Sequence, residues 1–127
     1  MTGHDPTPEA DRARLRQTLR ELAAQRATIT YRDAASAIGL APPHVIQHVA
    51  ALLEELMAED AAAGRPFIAA LVVGRARGGL PAPGFFEAAA RLGRFPGDPG
   101  GVDAAAWHAA ELGRAHAFHA ASDAPPR

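Results

Sequence analysis

The 127-residue chain has no cysteine, which excludes disulfides, thiol catalysis and thiolate-bound metal and makes a reducing cytoplasm the default compartment. It also has no lysine, so all 13 basic side chains are arginine. A GC-rich genome produces the same bias, and the positions of the arginines therefore carry more than their number. No apolar run approaches the roughly 18 residues needed to span a bilayer. Residues 1–8 lack the basic leader and apolar centre of a signal peptide. A formal net charge of −1 argues against a strongly basic, sequence-indifferent nucleic-acid coat, but is compatible with a small basic face. The chain reads as soluble and cytoplasmic, with no membrane partner.

Hydrophobic residues make up 48% of the chain, but much of that share is alanine, which buries little area and favours helices. One thin, mainly helical core is expected. Its larger pieces are Leu15, Leu19, Leu22, Tyr31, Ile38, Leu52, Leu56, Phe67, Leu71, Val73, Phe85, Phe86 and Trp107. The length suits a single domain over 8–121, between loose tails at 1–7 and 122–127.

Thr7 as N-cap and Pro8 in the first turn predict a helix to about residue 25, with Leu15, Leu19 and Leu22 on one face. Arg12, Arg14, Arg16, Arg20 and Arg26, offset by Glu9, Asp11 and Glu21, read as its solvated side. Thr30-Tyr31-Arg32-Asp33 resembles a capping box and opens a short helix with a stripe of Tyr31, Ala34, Ala35 and Ile38, closed by Gly39. Pro42 and Pro43 then introduce a third helix over about 43–62. Val45, Val49, Leu52 and Leu56, flanked by Ile46, Leu53 and Met57, form its core stripe, and His44, Gln47, His48 and Ala51 share the opposite face. Its first turns carry no carboxylate, whereas Glu54, Glu55, Glu59 and Asp60 crowd its distal half.

Residues 67–73 have the length and β-branched content of a buried strand. Gly74-Arg75-Ala76-Arg77-Gly78-Gly79 reads as a turn, and 80–82 as a short returning strand. Helices over 85–92 and from Asp103 to about residue 120 follow, separated by a proline- and glycine-rich loop at 95–101. Helix, turn, helix and hairpin in that order define a winged helix-turn-helix, mainly α with a small β-hairpin and with extra amino- and carboxy-terminal helices.

That scaffold binds DNA by placing the first turns of the third helix in the major groove. His44, Gln47 and His48 are the candidate readers: Gln pairs with adenine, and His donates to guanine acceptors or phosphate. An ordinary exposed helix face is the competing reading. Arg75 and Arg77 on the hairpin tip would reach phosphates or a narrow minor groove, unless they serve only solubility. His44 and His48 at i, i+4, with His108, His116 and His119 near the other end, raise a metal site. No H-E-x-x-H pattern completes it, and the histidines read as surface residues, with His116 or His119 packed against Trp107 or the first helix. Neither a catalytic triad nor a phosphate-binding glycine loop is legible. The chain reads as non-catalytic, with no cofactor.

The stretch 29–84 resembles the DNA-binding domain of the alkylguanine-DNA alkyltransferases and the alkyltransferase-like proteins. Their pattern opens with Thr-Tyr-Gly and a short helix ending in glycine, as Ile29-Thr30-Tyr31 leads here to Ile38-Gly39. The resemblance implies DNA contact by Tyr31 as the residue that rotates a nucleotide, and Arg32 beside it is a further candidate DNA contact. His44 stands where the family has an arginine that fills the vacated space. The family's reactive Pro-Cys-His-Arg segment and its two valines align with Ile68-Ala69-Ala70-Leu71 and Val72-Val73. Ala69 replaces the reactive cysteine, which excludes alkyl transfer.

The leading expectation is a non-catalytic binder of double-stranded DNA, plausible as a regulator of transcription or another DNA transaction. The alternative is a protein-interaction module on the same scaffold, docking a partner protein or a second copy through the acidic end of the third helix and the alanine-rich last helix.

Overall fold

The computed structural model describes residues 7–75, 79–96 and 103–122. Its first helix, Pro8–Ala24 (α1), starts at the expected signal: the Ala10 amide donates to Thr7 Oγ1 at 3.1 Å, and Pro8 sits in the first turn, where no N–H is needed. Asp11, Leu15, Leu19 and Ala23 recur every fourth residue and form the buried face.

Ile29–Thr30 (β1) leads directly into Tyr31–Ala37 (α2), because Thr30 caps that helix by accepting the Asp33 amide on Oγ1 at 3.1 Å. Tyr31, Ala34, Ala35 and Ile38 are buried, and Gly39 takes a φ of 79° where the chain leaves the helix. Residues 38–44 then connect to Val45–Ala63 (α3). This loop is longer than the three- or four-residue turn usual between DNA-binding helices. His44 lies in the left-handed region, at φ 65° and ψ 29°, so α3 begins at Val45 and not at Pro43. Val49, Leu52, Leu53, Leu56 and Met57 form its buried stripe, and Gly64, at φ 71°, ends it.

The expected β-hairpin is absent among the described residues. Residues 67–73 do not form one strand: Ile68–Leu71 is a 3₁₀ turn, and Val72–Val73 (β2) pairs with β1 in parallel, Ile29 opposite Val72 and Thr30 opposite Val73. A strand needs a ladder partner for its peptide groups, and side chains supply those partners here. The Ile68 amide donates to Asp60 Oδ2 at 3.0 Å and the Phe67 amide to Glu111 Oε2 at 2.7 Å. His119 Nε2 donates to the Pro66 carbonyl and His108 Nε2 to the Ala70 carbonyl, both at 2.9 Å.

Residues 80–82 form no returning strand either. Pro81 and Pro83 have no N–H to offer a ladder. The Ala82 amide donates to Tyr31 Oη at 2.9 Å, and the Gly74 amide donates to the Leu80 carbonyl at 2.8 Å.

Pro83–Arg91 (α4) and Asp103–Ser122 (α5) complete a mainly helical chain. α1, α3 and α5 surround the 3₁₀ turn. Trp107 of α5 packs 5.1 Å from Phe95 and 5.9 Å from Phe85, ring centre to ring centre, which ties α5 to α4. The three α5 histidines are therefore not surface residues: His108, His116 and His119 are buried, and His116 Nε2 donates to the Ala27 carbonyl at 3.0 Å. His108, Glu111, Ala115 and His119 recur at helical spacing, so the face of α5 that meets the core is largely polar. None of the described helices is long and apolar enough to cross a membrane.

Candidate nucleic-acid interface

The arginines of α1 are not simply a solvated side. Arg12 bonds Glu55 at 2.7 Å and Glu59 at 2.8 Å, while Arg16 bonds Glu59 at 2.9 Å and Asp60 at 3.0 Å. Arg14 pairs with buried Asp11 at 2.6 Å, and Arg91 with Glu54 at 3.2 Å. Arg65, Arg94 and Arg114 face Asp60 or Glu111. The acidic end of α3 is thus neutralised from within the chain. That outcome was hidden in the sequence because Arg12, Arg16 and Arg91 meet Glu55, Glu59 and Glu54 across 37 to 43 positions.

Four described arginines have no acidic partner among the described residues: Arg20, Arg26, Arg32 and Arg75. Arg32 and Arg75 lie in the same place. Together with Thr30, Tyr31, Asp33, Ile46 and Gly74 they line an open groove of about 400 Å³. The groove exists because β1 and β2 run in parallel. Arg32 leaves β1 in the first turn of α2, and Arg75 leaves β2 two residues past Val73, so both emerge at the same end of the sheet. Asp33 is the one carboxylate among its lining residues.

Tyr31 forms the inner wall. It is 8% exposed, and its Oη is held by the Ala82 amide. A tiny second cavity of about 30 Å³, lined by Ala50, Leu53, Met57 and Phe85 among others, lies against another side of Tyr31. The tyrosine therefore joins β1 and α2 to the segment entering α4. Ala69, at the position aligned with the reactive cysteine, is buried in the 3₁₀ turn.

The start of α3 divides its polar residues. His44 and Gln47 are exposed and bonded to each other, with Nδ1 and Oε1 3.0 Å apart. This contact engages one acceptor position of the glutamine amide. His48 turns toward α1, with Nε2 3.8 Å from Asp11 Oδ2, and so does not line the groove. Arg77 lies outside the described residues.

Ile46 was expected to flank the core stripe, yet it is 42% exposed and lines the groove. Ile46, Ala50, Leu53 and Met57 form one helical stripe, of which Leu53 and Met57 are buried and Ile46 is not.

The groove can place two cations beside an apolar side chain and the carboxylate-free first turn of α3. Among the described residues no cluster of three or more histidines or acids is placed to hold a metal ion. Compared with family models, with curated proteins and with solved structures, the chain matches none.

Proposed function

We propose that this chain is a non-catalytic binder of double-stranded DNA, a variant of the winged helix-turn-helix in which the loop after β2 takes the place of the hairpin wing. α2 and α3 approach the duplex with the first turn of α3 toward the major groove, and Arg32 and Arg75 hold phosphates on either side. Regulation of a DNA transaction is the role such a binder would serve.

One observation carries this reading: most of the arginines described are neutralised by acids within the chain, and two of the four that are not line one groove at the start of α3. An anion with extended, regularly spaced charge suits that arrangement. Asp33 lowers the net positive charge of the groove, so the proposal is of moderate affinity with marked salt dependence.

The test is a fluorescence-anisotropy titration of random-sequence duplex DNA across a salt series. Saturable binding that weakens with salt, and weakens further in Arg32→Ala and Arg75→Ala, is the expected result. No binding at low salt overturns the reading. It would favour the protein-interaction alternative, for which Phe118, 40% exposed on α5, is the supporting observation.

A further inference from the structure

We infer that Ile46 reads the 5-methyl group of a pyrimidine in the major groove, so that thymine or 5-methylcytosine is preferred at one position of the bound site. This rests on the DNA-binding reading above and specifies what the groove recognises.

Among the described residues Ile46 and Phe118 are the two large hydrophobic side chains left exposed, and they lie on different elements. Ile46 is on α3, in the groove that holds Arg32 and Arg75. A water-exposed isoleucine beside two guanidinium groups that have no acidic partner among the described residues gains nothing from the charges themselves. It gains if the ligand that neutralises the arginines also presents apolar surface at that spot.

Duplex DNA does so in one way. Of the groups that base pairs present in the major groove, the 5-methyl of thymine is the apolar one; the rest are hydrogen-bond donors and acceptors. A methylated cytosine presents the same carbon. Ile46 is the second residue of α3, in the turn that meets base edges when such a helix enters the groove. Its β-branched side chain is stiff at χ1, so little rotamer freedom is lost on contact. The neighbouring residues, His44 and Gln47, are polar and uncharged or weakly basic, and no carboxylate stands in the first turn to repel the backbone.

The experiment uses the full chain and the tightest duplex selected from a random pool. That duplex is resynthesised with deoxyuridine replacing each thymine in turn, and separately with 5-methylcytosine replacing each cytosine. Loss of one contacted methyl should weaken binding about fourfold, the affinity equivalent of burying one such carbon. A methyl added at the contacted position of a cytosine-bearing site should restore the same factor. Ile46→Ala, a change at an exposed position, should bind thymine and uracil forms equally, and Ile46→Val should fall between.

Equal affinity of the unaltered protein for methylated and unmethylated forms at every position would overturn the inference, as would undiminished discrimination by Ile46→Ala. In both cases, binding that still depends on Arg32 and Arg75 leaves the DNA-binding reading standing. Absence of any duplex binding would overturn both together.

Discussion

The Asp60 carboxylate, in the last turn of α3 and fully buried, accepts the Ile68 amide at 3.0 Å on Oδ2. Its Oδ1 accepts from Arg65 Nε at 3.0 Å and forms an ion pair with Arg16 from α1, also at 3.0 Å. One side chain thus fixes the start of the 3₁₀ turn, the packing of α1 on α3 and the end of α3.

Asp60→Ala should therefore destabilise the fold by about 3–5 kcal/mol, since it leaves the Arg65 guanidinium and a buried amide without their acceptor and takes from Arg16 one of its two carboxylates. Glu111→Gln should cost less, about 1–2 kcal/mol, because the amide oxygen can still accept from Phe67. Urea denaturation of the two variants, compared at equal slope, checks the ranking.

Stability should fall as the solution is acidified from about pH 7 to about pH 5. Burial holds His108 and His119 below the usual histidine range, outweighing the backbone carbonyls that each engages and the nearby Glu111 or Asp60, while Arg16 and Arg65 push His119 further down. The unfolded chain then binds more protons than the folded one. Stability is complete above the unfolded pKa of about 6.5 and is lost as the pH drops toward the lowered folded value, by up to about 1.4 kcal/mol per pH unit for each histidine. Thermal melts over this range, with His119→Gln showing a shallower fall, provide the measurement.

Tyr31→Phe should cost about 1–2 kcal/mol, because the Ala82 amide loses the oxygen that receives it and Pro81 and Pro83 offer no alternative ladder. Loosening of the contact between Gly74 and residues 80–82 should follow, read as faster hydrogen exchange at Gly74 and Ala82.

Arg32→Ala and Arg75→Ala should each reduce the salt slope of DNA binding by about 0.9. Arg91→Ala removes a positive charge that is paired with Glu54 and does not line the groove, so it should leave the slope unchanged. Equal effects of all three would mean that net charge, and not the groove, governs binding.

Local signals were legible wherever one or two residues decide the backbone. Thr7 and Thr30 cap the helices they precede, and Gly39 and Gly64 adopt the positive φ that ends a helix. The candidate site was legible in part. Tyr31, Arg32 and Arg75 converge, whereas His48 belongs to the contact with α1 and Ile46 entered the groove unannounced.

By itself the sequence determined the approximate helix positions, most of the larger core residues from Leu15 to Phe86 with Leu22 only partly buried, and the exclusion of thiol chemistry, because caps, glycines, apolar spacing and the lack of cysteine act over a few residues or none. Tertiary structure alone decided that 67–73 would be a 3₁₀ turn followed by a parallel strand, that the α5 histidines would be buried, and which of the described arginines would meet an acid. Each of these depends on a partner outside its own segment. Asp60 and Glu111 take the amides that a hairpin would have used, while Glu55 and Glu59 take the charge of α1. A peptide group or a charge accepts whichever partner the packing brings within about 3 Å, and residue order does not state that distance.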